Sequence, residues 1–285
     1  MSKIILVTGT STGLGISISV QAAQAGHTVY ATMRNLEKRA QLDAACAAAG
    51  VSVNVSKLDV QDAGSINQAV ETIIKDHGRI DVLINNAGAG FVRSTEQATE
   101  EDVQWIMDVN FMGVMRCTKA VMPHMRQART GHIISISSVG GLVGQPFNEI
   151  YCAAKFAVEG YMEAMASYIT PSFGINFTVV EPGGISTEFA SNVLEHVTQS
   201  GGMIDDEYLP VLQNYIASAS RRQEGSGTYQ TADEVSAVVM DCVKSAEPPV
   251  RIRTSAWAEE LTALKTSLDP DGKKLQAKII AQFLD

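Results

Sequence analysis

The sequence predicts an α/β fold, a parallel sheet of about seven strands with helices on both faces. Two patterns carry that prediction. Short runs of β-branched and other apolar residues alternate with helix-length segments, which is the rhythm of βαβ units. The first, fourth and fifth runs are the most uniformly apolar, as central strands covered on both faces must be. With 285 residues, 45% of them hydrophobic and 19% charged, the chain suits one large core better than two small ones. A single domain over 1–285 is expected.

In chain order the strands are "IILVT" at 4–8, "TVYATM" at 28–33, "VSVNVSKL" at 51–58, "DVLIN" at 81–85, "HIISISS" at 132–138 and "NFTVVE" at 176–181. A short seventh, "VRIRT", falls at 250–254. Helices are expected at 14–25, 36–49, 63–77, 100–128, 150–170 and 232–245. The last opens on "TADEV", where Thr231 can cap the helix and Glu234, three residues on, can answer it.

Between about 185 and 230 the alternation lapses into "SGG", "EGSG" and scattered Met203, Tyr208, Pro210 and Tyr215. An irregular insertion at this place reads as a lid or pocket wall. The tail from 255 to 285 reads as two amphipathic helical stretches divided by the turn signal "DPDG".

Composition excludes several classes of function. The net charge is −9 and no block of lysine and arginine can neutralise successive phosphates, so nucleic acid is not an expected partner. Cys46, Cys117, Cys152 and Cys242 lie far apart, and the five histidines show no ligand spacing, so neither a disulfide framework nor a metal site is expected. No apolar run reaches the roughly 20 residues of a membrane span, and "KIILVTG" begins a strand where a signal peptide would need its apolar middle. A cytoplasmic location is expected.

Directly after the first strand comes "TGTSTGLG", Thr8 to Gly15, and then a helix. Gly9, Gly13 and Gly15 let the chain turn tightly and let a pyrophosphate approach main-chain N–H groups at the helix start. Glycine also suits any tight strand-to-helix turn, so the loop alone leaves both readings open. At the end of the second strand Met33 and Arg34 stand where an acid would hydrogen-bond a ribose 2′-OH. Arg34 can pair with a 2′-phosphate, and Ser11 and Thr12 offer hydroxyls nearby, so NADP(H) is favoured over NAD(H).

Hydride transfer to a carbonyl needs a proton delivered to the oxygen at nearly the same time. Tyr151 and Lys155, in "YCAAK", lie four residues apart on one face of a predicted helix, where a cation can lower the phenol pKa. Alone, that pair reads as surface decoration. Ser138, at the end of the fifth strand, stands at the edge where open α/β sheets bind ligands, beside the slim loop "VGGLVGQPF". Asn110 interrupts a long predicted helix in "DVNFMG", where it can hold a water near the lysine.

With these residues in place the chain resembles the short-chain dehydrogenase/reductase family over about residues 3–255. The family pattern T-G-x-x-x-G-x-G lies on Thr8 to Gly15, N-N-A-G on Asn85 to Gly88, the asparagine on Asn110, the serine on Ser138, Y-x-x-x-K on Tyr151 and Lys155, and P-G on Pro182 and Gly183. "VYATMRN" and "SSVGGLVGQPFNEIYCAAKFAVEG" are more closely similar to the branch of 17β-hydroxysteroid dehydrogenase type 1 and retinol dehydrogenase, and to bacterial ketoreductases.

The resemblance implies a Rossmann-type doubly wound sheet of order 3-2-1-4-5-6-7. It implies that Tyr151 is the acid or base, that Ser138 bonds the substrate oxygen, that Lys155 lowers the tyrosine pKa and holds the nicotinamide ribose, and that Asn110 keeps a water in the relay. It also implies cofactor contacts from Gly9, Ser11, Thr12, Gly13, Leu14, Gly15 and Arg34, from Asp59 and Val60 at the adenine, and from Asn86, Ala87 and Gly88. Pro182, Gly183, Ile185 and Thr187 would meet the nicotinamide end. A homodimer or homotetramer through the helices near 100–128 and 150–170 is implied as well.

The expected activity is therefore NADP(H)-dependent interconversion of a secondary alcohol and a ketone with an apolar body. Leu142, Val143, Phe147, Ile185 and Phe189 flank the predicted edge and can line its pocket, or can serve packing alone. A non-catalytic nucleotide sensor or scaffold, an NAD(H)-dependent enzyme of the same fold, and a lyase or epimerase using the cofactor transiently are the competing readings.

Overall fold

In the computed structural model, which describes residues 2–199, 201–224 and 229–283, seven parallel strands form one sheet. They are β1 (Ile4–Thr8), β2 (Thr28–Met33), β3 (Asn54–Lys57), β4 (Val82–Asn85), β5 (Gly131–Ile136), β6 (Ile175–Glu181) and β9 (Arg251–Arg253). Their order is β3-β2-β1-β4-β5-β6-β9. This is the expected arrangement, with the seventh strand where it was placed. Its label changes only because β7 (Gly184–Ser186) and β8 (Tyr229–Thr231) pair as a separate two-stranded ribbon.

Alternation along the strands sorts the core into two layers. Leu6, Leu83, Ile133 and Val179 face α3 (Ala63–His77), α5 (Gly113–Ala128) and α6 (Glu149–Phe173). Ile5, Val7, Val82, Ile84, Ile134 and Val180 face α1 (Gly13–Gln24), α2 (Ala40–Ala49) and α9 (Ala232–Lys244). The strand order reverses between β1 and β4, so a crevice opens at the carboxyl ends of those two strands.

The expected helix over 100–128 is three pieces. α4 (Glu100–Met107), opened by a Thr99–Asp102 capping box, runs into a π-helical turn (Asp108–Met112) and then into α5. Before α2 a short 3-10 turn covers Leu36–Arg39, and β3 is shorter at both ends than its apolar run. The lid segment is more regular than its sequence suggests: α7 (Phe189–Gln199) and α8 (Leu209–Glu224) occupy most of it. Part of its "EGSG" stretch, at 225–227, lies outside the described residues. The tail forms α10 (Ala256–Thr266) and α11 (Lys273–Phe283), with the DPDG turn between them as expected. Among the described residues no helix is long and apolar enough to cross a membrane.

Candidate active site

The glycine loop is stitched to the end of β4. The Thr8 hydroxyl accepts from the main-chain N–H groups of Asn86 and Ala87, both at 3.1 Å. In return the Asn86 amide donates to the carbonyls of Thr8 at 3.0 Å and Gly9 at 2.8 Å. Gly9 has a φ of +72°, and a Cβ there would lie 2.7 Å from Ala87 Cα. A Cβ on Gly15 would meet the Gly9 carbonyl at 2.2 Å, so the helix can start this close to the strand only without a side chain.

These residues fit a dinucleotide pyrophosphate. Thr12 occupies the N-cap of α1 without its side chain capping it, and the first turn carries no acid, so its N–H groups face an open, positively polarised end. Gly13 and Ser11 complete the cradle. Leu14 is 8% exposed and packed into the core, so only its main chain can serve a ligand. Thr187, beyond β7, comes within 3.0 Å of where a Gly13 Cβ would be, and closes the cradle from the lid side.

Arg34 follows the last residue of β2 and is exposed, with no acid taking the ribose position. Asp59 accepts from the Gln61 N–H at 3.0 Å, and Val60 presses on Gly113 at the start of α5. Three residues not singled out in the sequence hold this end. Arg116 donates to the Val60 carbonyl at 3.2 Å and pairs with Asp108 at 2.5 Å, while Gln61 donates to the same Asp108 at 2.9 Å. The adenine end and the π-helical turn are thereby tied together. Asp108 stands two residues before Asn110, a proximity in "DVN" that could have marked it.

Asn110 is fully buried in that turn. Its Oδ1 accepts from the Ala89 N–H at 2.8 Å and its Nδ2 donates to the Ala89 carbonyl at 2.7 Å. The side chain thus holds the segment after N-N-A-G in place; Gly88 lies directly under it, where a Cβ would be 3.0 Å from Oδ1 and 3.8 Å from the Lys155 ammonium.

β5 ends at Ile136, two residues before the serine. Ser138 caps a 3-10 turn (Val139–Gly141) by accepting from the Gly140 N–H at 3.0 Å. Main-chain bonds fasten this turn to β6 and its continuation: Ser137 N–H to the Val180 carbonyl at 2.8 Å, Val139 N–H to the Pro182 carbonyl at 2.9 Å. Gly183 then leads into β7. Tyr151 sits in the first turn of α6, and its ring and the Ser138 hydroxyl flank Gly140 together, each 3.4 Å from where a Cβ there would be. Lys155, one turn on and 5% exposed, donates to the Ile136 carbonyl at 2.9 Å.

The electrostatics depart from expectation. Burial pushes the Tyr151 phenol up to about 12, and Ser138 only partly opposes it. Burial brings Lys155 down to about 8, and only an ionised Glu159 would pull the other way. The lysine does not lower the phenol here, because its ammonium turns to the strand end and lies 5.7 Å from the tyrosine ring centroid.

The lid comes down on this edge. Phe189 packs its ring 6.1 Å from that of Tyr151, edge to face, and Phe189 with Val193 fills the space beside Gly90. Tyr215 of α8 accepts from the Asn148 amide at 2.9 Å and stands 6.0 Å, ring to ring, from Phe147. Phe147 itself is buried with a φ of +60°, a strained conformation for an aromatic residue at the mouth of the site. Leu142 is buried beside the serine turn and Val143 half-buried. Ile185, partly buried, packs against the α1–α9 layer and pairs with Gln230 in the ribbon. Among the described residues no cluster of histidine, cysteine or acid has the makings of a metal site.

The sequence model described as short chain dehydrogenase matches residues 3–198. Retinol dehydrogenase 8 of Bos taurus is 38% identical over 275 residues, covering 95% of this chain and 86% of its own. The 3-ketodihydrosphingosine reductase of Bacteroides thetaiotaomicron is 37% identical over 271 residues, 94% of each chain. Among solved structures, the F189W actinorhodin polyketide ketoreductase with NADPH superposes with a TM-score of 0.76 at 26% identity, over 92% of this chain and 97% of that one.

Proposed function

Because the chain belongs to the short-chain dehydrogenase family, we propose that it is an NADP(H)-dependent oxidoreductase interconverting a secondary alcohol and a ketone with an apolar body. The observation that carries this reading is the juxtaposition of Ser138 and Tyr151 about Gly140 at the carboxyl edge of β5, with Lys155 one helical turn away. When bound, the nicotinamide supplies or takes up the hydride. In reduction Tyr151 passes its phenolic proton to the substrate oxygen, and in oxidation it receives one; Ser138 holds that oxygen by a hydrogen bond. Lys155 anchors the nicotinamide ribose. Asn110 fixes the 87–89 segment over the site and keeps a water in the relay.

The cofactor preference is read from Arg34 and from the missing acid after β2, and the ketoreductase with NADPH supports it. Phe147, Leu142 and Phe189 give the substrate side an apolar lining, suited to the class that contains retinol and 3-ketodihydrosphingosine. One domain spans the chain, and copies associate through α4, α5 and α6 into a dimer or tetramer. The test is a screen of apolar ketones and alcohols with NADP(H) and NAD(H). Turnover with NADPH at a kcat/KM at least tenfold above that with NADH is expected; cofactor binding without turnover in either direction would favour a sensor instead.

A further inference from the structure

Behind the serine turn lies a group of ionisable residues that the proposed chemistry does not use. Glu159, one turn beyond Lys155 on α6, is 6% exposed, and Glu181, at the end of β6, is completely buried. Arg253 of β9 pairs with Glu181 at 3.1 Å, both side chains being inside the protein. It also reaches Glu259 of α10 at 3.0 Å and the Pro270 carbonyl at 2.6 Å. The remaining charged neighbours are accounted for: Glu163, a further turn along α6, is paired with Arg251 of β9 at 3.1 Å, and Lys155 is turned to Ile136. Arg253 is thus shared between Glu181 and Glu259, and among the described residues no arginine or lysine is ion-paired with Glu159.

The polar atoms here tell the same story. Both oxygens of Glu159, the second oxygen of Glu181, the Ser137 hydroxyl and the Nε atoms of Arg251 and Arg253 are buried without a hydrogen-bond partner. Two carboxylates cannot bond to one another, but a carboxylic acid can donate to a carboxylate. A single proton on Glu159 satisfies Glu181 and leaves Glu159 an oxygen free to accept from Ser137. Burial and the facing Glu181 both drive Glu159 towards that neutral form, its pKa raised well above the ordinary carboxylate range.

The serine turn rests directly on this acid. A side chain on Gly141 would begin 2.6 Å from Ser137 Oγ and 2.8 Å from Glu159 Oε1, so the glycine lets the turn sit against both. β6 holds the turn by main-chain bonds at Val180 and Pro182, and Glu181 lies between those two anchors.

We propose that Glu159 is a positioning residue for Ser138: carrying a proton, it bridges Glu181 and Ser137 and fixes the Ser137–Gly141 turn while adding no charge one turn from Lys155. It touches neither substrate nor cofactor. The assignment rests on the oxidoreductase reading for its kinetic consequence, but not for the proton itself.

The experiment compares the whole protein with Glu159→Gln, which retains a neutral donor of the same shape, and Glu159→Leu, which retains bulk without one. Difference infrared spectra at neutral pH should show a protonated carboxyl band that is absent from Glu159→Gln. Kinetically, Glu159→Leu should lower kcat by tenfold or more with the cofactor KM within twofold of wild type, and Glu159→Gln should recover kcat to within threefold. A missing band, or a Glu159→Gln enzyme as slow as Glu159→Leu, overturns the proposal. If Glu159→Leu does not fold, the band and the Glu159→Gln rate decide. A wild-type protein that turns over no alcohol or ketone sinks the oxidoreductase reading alone, since the infrared band is read without turnover.

Discussion

The edge that carries Ser138, Tyr151 and Lys155 and the lid that covers it are built by different physics. At the edge the site's main supports are main-chain bonds: Lys155 is held by Ile136, Asn110 by Ala89, the serine turn by Val180 and Pro182. The lid is fastened at its rim by side chains, Gln97 to Asp206 at 2.9 Å and Asn148 to Tyr215 at 2.9 Å, and leaves Leu194, Met203, Ile204 and Val211 exposed. A region tied down by few buried contacts opens at lower free energy than the sheet beneath it. On the proposed function, chemistry belongs to the half tied to the sheet, and substrate choice to the half with the more exposed apolar surface.

The largest break in that comparison comes from Tyr151→Phe, which removes only the hydroxyl. It should lower kcat by about 10³-fold or more, in the range of a lost general acid, with cofactor affinity nearly unchanged by fluorescence titration. Retained turnover would move the proton donor elsewhere.

Lys155 gives activity and stability opposite slopes in pH. Its folded pKa is depressed to about 8 from 10.5, so between those values the unfolded chain binds more protons than the native protein, and stability rises with pH. Activity, which needs the ammonium, should fall as pH rises through about 8. The stabilising change should amount to about 3 kcal/mol at most, at 1.36 kcal/mol per pKa unit. Urea melts of the cofactor-free protein at pH 7.5 and 10, set against Lys155→Met, isolate it; parallel curves for the two proteins would refute it.

Arg34→Asp sharpens the contrast from the cofactor side. Losing one charge-assisted hydrogen bond, about 1.5–3 kcal/mol, should cut the NADPH-to-NADH preference about 10- to 100-fold in kcat/KM. The lid is untouched by this change, so the substrate KM should stay within a factor of about two. An unaltered ratio removes Arg34 from the role.

The same division explains what could be read from the sequence. The glycine loop, N-N-A-G, Ser138 and Y-x-x-x-K are legible because each sits at a strand end or helix start, where local backbone geometry dictates residue type. Asp108, Arg116 and Gln61 act through one another across separate elements; Asp108 has Asn110 two residues on to mark it, and no spacing rule points to the other two. The two lid helices were hidden by the glycines and prolines around them, while α7 and α8 form mainly because Phe189, Val193 and Tyr215 find partners on the distant Gly90 and Phe147. Burial likewise decided the phenol: the i, i+4 spacing with Lys155 suggests a lowered pKa, but a spacing carries no information about where the ammonium turns. Ile185 faces the core for a similar reason, since its ribbon pairing with Gln230 is long-range.

Tyr215→Phe is the smallest of these effects and the most direct probe of the lid. The phenol accepts from the Asn148 amide, but that amide also donates to the Pro146 carbonyl at 2.9 Å, so deleting the hydroxyl leaves no buried donor stranded. The cost is then that of one ordinary hydrogen bond, about 0.5–1.5 kcal/mol, and the ring contact with Phe147 survives. If the lid closes over bound substrate, this should appear as a rise of about two- to tenfold in substrate KM with kcat unchanged, because Ser138 and Tyr151 stand on the turn after β5 and on α6 rather than on α8. A fall in kcat with KM unchanged would mean that α8 helps to align the serine turn, and that the rigid and movable halves of the site are less separate than their contacts indicate.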